Sequence, residues 1–137
     1  MLIGYDGSLE GSVDNVSGNA KDATCYIYYE DMIQSLSNLA ELKPTYYKGG
    51  NAIRLRQLSI GSETIGYSNP AIKSLAVSNS TMLEKLEAQN IGIPDGADTL
   101  GLTTLQSLEE IHTVGSTFKG IAFANGGVLR IARLNAI

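Results

Sequence analysis

Apolar residues in the C-terminal part of the chain follow one recurring phrase, apolar-x-x-apolar-x-apolar. It reads Leu55, Leu58, Ile60, then Ile72, Leu75, Val77, then Leu83, Leu86, Ala88. It returns as Leu108 and Ile111, then Phe118, Ile121, Phe123, and finally Leu129, Ala132, Leu134. Leu83, Leu108 and Leu129 are 25 and 21 residues apart, while Ile72 and Phe118 are 46 apart. About 21–25 residues per turn, with two apolar rungs in each, is the arithmetic of a solenoid. A very short strand cannot bury its inward side chains alone. Stacked about 4.8 Å from the next, it shares a continuous core and satisfies its backbone hydrogen bonds. The phrase therefore predicts Leu86, Ile111 and Ala132 as one inward column.

Turn residues fall between the rungs. They are Ser-Asn-Ser-Thr at 78–81, Ile-Pro-Asp-Gly-Ala-Asp at 93–98, Gly-Ser-Thr at 115–117 and Asn-Gly-Gly at 125–127. The longer insert carries a candidate short helix from Leu100 to Leu108. Upstream, Met32, Ile33, Leu36, Leu39 and Ala40 form a stripe at helical spacing, opened by Glu30 or Asp31 and stopped by Pro44. That pattern predicts one core-facing helix. Cys25–Tyr29 is β-branched and aromatic, so it predicts a strand. Residues 1–24 are rich in Gly, Ser, Asn and Asp without a sustained period, and predict an irregular segment with at most one short strand. The organisation expected is an irregular segment at 1–24, a strand plus capping helix at 25–50, and a solenoid at 51–137.

Length and composition fit one globular domain. The 137 residues are 43% apolar and 18% charged, with 15 Gly and only 3 Pro, which points to many tight turns. The net charge of −4 and scattered Lys and Arg argue against a nucleic-acid partner. Cys25 is the single cysteine, so an internal disulfide and a cysteine-based zinc site are excluded. No apolar run is long enough for a signal peptide or a membrane span.

The wording of the repeats carries a resemblance. Gly66–Pro70 (GYSNP), Leu83–Asn90 (LEKLEAQN) and Leu108–Leu129 (LEEI…GST…FANGG.L) resemble leucine-rich-repeat segments of large virion proteins from tailed phages of gut bacteria. Those proteins look like tail, baseplate or appendage components. The segment MIQSLSNLAELKP also resembles what precedes such repeats, so the likeness covers roughly residues 26–137. It implies an α/β solenoid, a leucine-rich-repeat-like parallel β-solenoid with short strands behind one N-terminal α-helix. It implies a structural or recognition protein of the phage particle that binds other virion subunits or a host-surface receptor. A bacterial cell-surface adhesin on similar repeats, hence an extracellular location, is the alternative. The usual repeat wants Asn three positions after the last strand residue. Here those slots hold Ser80, Ile91 and Ser116, a departure from an ordinary asparagine ladder. With no obvious cap at either end of the solenoid, an oligomer or a part of a longer chain is expected.

Candidate chemistry is sparse. His112, the only histidine, lies between inward positions and points outward, with Glu87 and Arg133 as its counterparts one coil away. Together with Lys85, Gln89 and Glu110 they form a candidate recognition strip; a solvated, mildly paired ladder is the plainer alternative. Tyr28, Tyr29, Tyr46 and Tyr47 are a candidate aromatic interface, or else a lid on the first rung. A nucleophile–base pair of His112 with Ser116, Ser107 or Cys25 has no acidic orienter in any motif. Ser116 sits in a corner, where a hydroxyl ordinarily bonds backbone. Asp95–Asp98 is too short for a calcium loop, and the glycine-rich GYDGS and KGGN lack a strand–helix phosphate-binding context. No catalytic residue, metal or cofactor is expected, and the leading reading is a non-enzymatic binding module.

Overall fold

The computed structural model describes residues 2–4, 9–16, 24–28, 30–36, 44–63, 72, 74–92 and 99–134. Twelve strands run through them: β1 (Leu2–Gly4), β2 (Leu9–Val16), β3 (Thr24–Tyr28), β4 (Ser35–Leu36), β5 (Pro44–Lys48), β6 (Gln57–Gly61), β7 (Ser74–Ala76), β8 (Lys85–Ala88), β9 (Thr99–Leu102), β10 (Glu110–His112), β11 (Gly120–Phe123) and β12 (Ile131–Arg133). From β4 onward successive strands alternate between two faces. The even-numbered strands form one parallel sheet in the order β12-β10-β8-β6-β4. On the other face β5 pairs parallel with β7, and β9 with β11. The result is a parallel β-solenoid of about three turns, with two short strands per coil.

The inward column is continuous. Leu36, Leu58, Leu86, Ile111 and Ala132 are consecutive partners in register. Leu58, Leu86 and Ile111 are at most 1% exposed. Fully burying one such side chain stabilises by about 1.5–3 kcal/mol. The predicted column of Leu86, Ile111 and Ala132 is thus present.

The corners leading into this sheet explain why the phrase recurs. Ala52 N–H bonds Gly49 O and Leu55 N–H bonds Ala52 O; Ser80 bonds Val77 and Leu83 bonds Ser80; Leu105 bonds Leu102 and Leu108 bonds Leu105. Each corner is two successive turns that close on the residue three back, so every third residue faces inward. Val77, Ser80, Leu83, Leu86 and Leu102, Leu105, Leu108, Ile111 are all buried.

That three-residue period overturns one helical expectation and takes the described start of another. Leu100 to Leu108 is not a helix: β9 covers Thr99–Leu102, and the chain then follows the corner turns. The expected helix begins with a single 3-10 turn at Glu30–Met32 and passes directly into β4. Met32 is 54% exposed, whereas Ile33 and Leu36 are each 2% exposed. Ile33-x-x-Leu36 is the repeat phrase one coil earlier, and an i, i+3 spacing serves a helix and this corner equally. Residues 37–43, where the rest of that helix was expected, lie outside the described residues.

The N-terminal segment is more regular than expected. β2 pairs antiparallel with β3 and β5, and β1 pairs parallel with β3, extending the odd-strand face to β1-β3-β2-β5-β7. Gly11 and Val13 alternate with Ser12 and Asp14, a two-residue period hidden by the small residues, and the register against β3 shifts between Leu9 and Gly11. The expected strand at Cys25–Tyr29 is present as β3; Tyr29 lies outside the described residues.

Polar ladders close the corners. Ser80 Oγ donates to Ala52 O at 2.8 Å, Asn79 Nδ2 to Gly50 O at 2.9 Å and Thr104 Oγ1 to Ser78 O at 2.6 Å. At the opposite corner Asn90 Nδ2 donates to Ser62 O at 3.1 Å, and Ser116 Oγ donates to Ala88 O while accepting Ile91 N–H. Two of the slots that lack Asn, Ser80 and Ser116, therefore do the ladder's work with hydroxyls.

Candidate functional site

The outward surface of the even-strand sheet carries most of the ion pairs among the described residues. Each carbonyl just before a strand accepts two successive N–H groups from the next coil. Arg56 O takes Glu84 and Lys85, Glu84 O takes Glu109 and Glu110, and Glu109 O takes Arg130 and Ile131, all at 2.7–3.0 Å. These forked contacts fix the backbone register, so outward side chains stand in columns.

Three columns result. The first is Arg56, Glu84, Glu109 and Arg130, in which Arg56 lies 3.7 Å from Glu84, and Arg130 3.3 Å from Glu109. The second is Ser35, Gln57, Lys85, Glu110 and Ile131. The third is Ser59, Glu87, His112 and Arg133. The predicted row of Glu87, His112 and Arg133 is realised in register.

Pairs also form along single strands, because residues two apart share a face. Lys85 Nζ meets Glu87 Oε1 at 2.9 Å, and His112 Nε2–H meets Glu110 Oε1 at 2.7 Å. Ser59 Oγ reaches Glu87 Oε2 at 3.4 Å. Hydrogen bonding to Glu87 raises the Lys85 pKa above its ordinary value; burial opposes this, and the charges of Glu87 and Glu110 reinforce it. Hydrogen bonding from His112 holds the Glu110 carboxyl below its ordinary value, against burial and with help from Lys85, His112 and Arg133.

The face balances its charges. Arg56, Lys85, Arg130 and Arg133 oppose Glu84, Glu87, Glu109 and Glu110. It presents a pattern of alternating sign, not a field of one sign. Exposed pairs of this kind contribute about 0.2–1 kcal/mol each, so they add little to the fold. Beside them lies a hollow of about 160 Å³ lined by Ser35, Leu36, Gln57, Leu58, Ser59, Lys85 and Glu87. It exists because the columns shrink from Lys85 and Glu87 to serines on passing to the first coil.

Other candidates are placed differently. Gln89 lies past the end of β8, 7% exposed, with its backbone N–H donating to Gly61 O, so it is not on the outward strip. Tyr47 is fully buried, in register with Leu75, which corrects its candidacy as an interface anchor. Gly49 leaves the room its phenol occupies: a Cβ there would stand 2.8 Å from the Tyr47 hydroxyl. Tyr46 lies on β5 opposite Asp14 and Ser74, and Tyr28 on β3 opposite Leu9 and Gly4; Tyr29 is outside the described residues. The His112–Ser116 pairing is not assembled, since the ring turns to Glu110 and the hydroxyl to the backbone. Among the described residues no group of three His, Cys, Asp or Glu is placed to hold a metal, and no helix is long and apolar enough to cross a membrane.

Arg56, Glu84, Glu109, Arg130 and the serines of the hollow were not singled out from sequence. Their signal is positional: Arg56, Glu84, Glu109 and Arg130 each stand two residues before an inward column member. Comparison of the chain with protein-family models, curated proteins and solved structures finds no match.

Proposed function

We propose that the chain is a non-enzymatic recognition module, a leucine-rich-repeat-type solenoid whose even-strand face is the binding surface. The observation that carries this reading is the registered array of Lys85, Glu87, Glu110, His112 and Arg133 beside a mixed polar and apolar hollow, on a hydrogen-bonded sheet. Rigid side chains in a fixed pattern of both signs favour specificity over bulk affinity. The partner is a protein or surface of complementary charge pattern. The resemblance to tailed-phage virion proteins supports a place in the phage tail or baseplate, against other virion subunits or a host-surface receptor. A bacterial cell-surface adhesin is the competing setting for the same face.

The test is co-sedimentation of the labelled chain with purified phage tail assemblies and with gut-bacterial cells. Glu87→Lys and Arg133→Glu should each weaken capture by about tenfold without altering the circular-dichroism melt. Capture unchanged by both reversals would overturn the strand-face assignment. A substrate turnover abolished by His112→Ala would overturn the non-enzymatic reading.

A further inference from the structure

The corner between β11 and β12 carries Asn125-Gly126, the single Asn-Gly pair in the sequence. Asn79, Thr104 and Asn125 are equivalent corner residues, each four positions before Leu83, Leu108 or Leu129. The first two are tied to the coil beneath, Asn79 Nδ2 to Gly50 O and Thr104 Oγ1 to Ser78 O. At the opposite corner the Asn90 amide is tied to Ser62 O. Asn125 is exposed, and its side chain makes no hydrogen bond among the described residues.

The backbone nitrogen that follows is free as well. In the earlier corners the N–H groups of Ala52, Ser80 and Leu105 bond the carbonyl three back. Their counterpart Gly126 makes no such bond to Phe123. The turn is instead centred on Asn125 and Gly126, with Gly126 at φ of +70°. Nothing stands over it, for a Cβ at Gly126 would meet no atom within 4 Å. This corner position is also exposed at Asn79 and Thr104, which have coils on both sides. Each ladder bond that a coil gives here to the one beneath ends on a carbonyl, so a coil stacked above would leave both groups of the pair untouched.

We propose that Asn125 is a site of spontaneous backbone modification, which deamidates through a cyclic imide to isoaspartate and aspartate. Hydroxide removes the Gly126 N–H proton, and the nitrogen attacks Asn125 Cγ. A new N–Cγ bond forms, the bond from Cγ to Nδ2 breaks, and Nδ2 leaves as ammonia with protons from water. Water then opens the imide at either carbonyl. Cleavage at Cγ gives aspartate, and cleavage at the backbone carbonyl gives isoaspartate. The net change is amide plus water to acid plus ammonia. The isoaspartyl link routes the main chain through the side-chain carbons, which lengthens the corner that delivers Arg130 and Arg133 to the charged face. This inference stands independently of strand-face recognition.

The test holds the full chain at mildly alkaline pH and digests it with trypsin, which releases Gly120–Arg130. Mass spectrometry with electron-transfer fragmentation should find that peptide converted to acid forms, isoaspartate the larger. Peptides carrying Asn79 and Asn90 should stay amidated over the same time. Gly126→Ala should slow conversion several-fold, because its methyl shields the attacking nitrogen. Gly127→Ala should leave the rate unchanged, since that nitrogen takes no part. The chain unfolded in guanidinium chloride sets the reference rate, which the folded chain should approach. Asn125 intact in the folded chain while the unfolded chain converts would overturn the proposal. Equal conversion at Asn79 or Asn90 would also overturn it, as would a rate indifferent to Gly126→Ala.

Discussion

Single residues set the corners and the charged columns. Gly115 has φ of +83°, and a Cβ there would land on the Asn90 side-chain amide of the coil beneath. Asn90 itself is left-handed, with φ of 55°, and its amide bonds Ser62 O. Gly115→Ala should therefore cost about 2–5 kcal/mol, the left-handed penalty plus overpacking. With Asn90→Gly already in place, the same change should cost only about 1–2 kcal/mol, because the clash is gone. Urea unfolding of the four proteins measures this; additive losses would mean the two corners are not in contact. On the outer face, the Glu110 carboxyl is depressed chiefly by its hydrogen bond from His112. A depressed carboxyl contributes stability above its ordinary value of 4.5 and loses it as pH falls through the lower folded value. His112→Ala should move the Glu110 titration midpoint up toward 4.5, read by side-chain carboxyl NMR. An unmoved midpoint would assign the depression to Lys85 and Arg133 instead.

At the scale of elements, the column is what the strands exist to build. Leu86 is fully buried between Leu58 and Ile111, so Leu86→Ala should cost about 2–5 kcal/mol by chemical denaturation. Leu129, equivalent to Leu83 and Leu108 but 37% exposed, should cost less than about 1 kcal/mol on the same change in the monomer. Equal losses would mean the C-terminal coil is packed like the others. These columns were legible in sequence because the leucine phrase recurs once per coil, although the coils themselves span 21 to 28 residues, as in Ile111 to Ala132 and Leu58 to Leu86. Element type was less legible where the phrase is short. Ile33-x-x-Leu36 and Leu102-x-x-Leu105-x-x-Leu108 satisfy both a helix stripe and a run of three-residue turns, and only tertiary stacking chooses between them. β2 was hidden for another reason: Gly11 and Ser12 blunt an alternation that pairing on both sides stabilises. The outward strip was legible as a row, since parity of position gives the face. Which members pair was not, because Lys85–Glu87 and His112–Glu110 run along strands and not across them. Gln89 was misjudged because it lies past the end of β8, where strand parity no longer sets the face, and Tyr47 because it takes an inward position of β5, a strand the sequence reading did not predict.

For the whole molecule, a stack in which each coil touches only its neighbours has stability that varies along its axis. Leu58, Ile60, Leu83 and Leu86 are all at most 1% exposed, whereas β12 has one neighbour among the described strands and three exposed residues. Local opening should therefore start at β12 and end at β6 and β8. Hydrogen exchange resolved by peptide should show amides of residues 131–133 exchanging first in dilute protein, with 57–61 and 85–88 last. Uniform protection would show that the coils open as one cooperative unit, and that no gradient runs from β12 to β6 and β8.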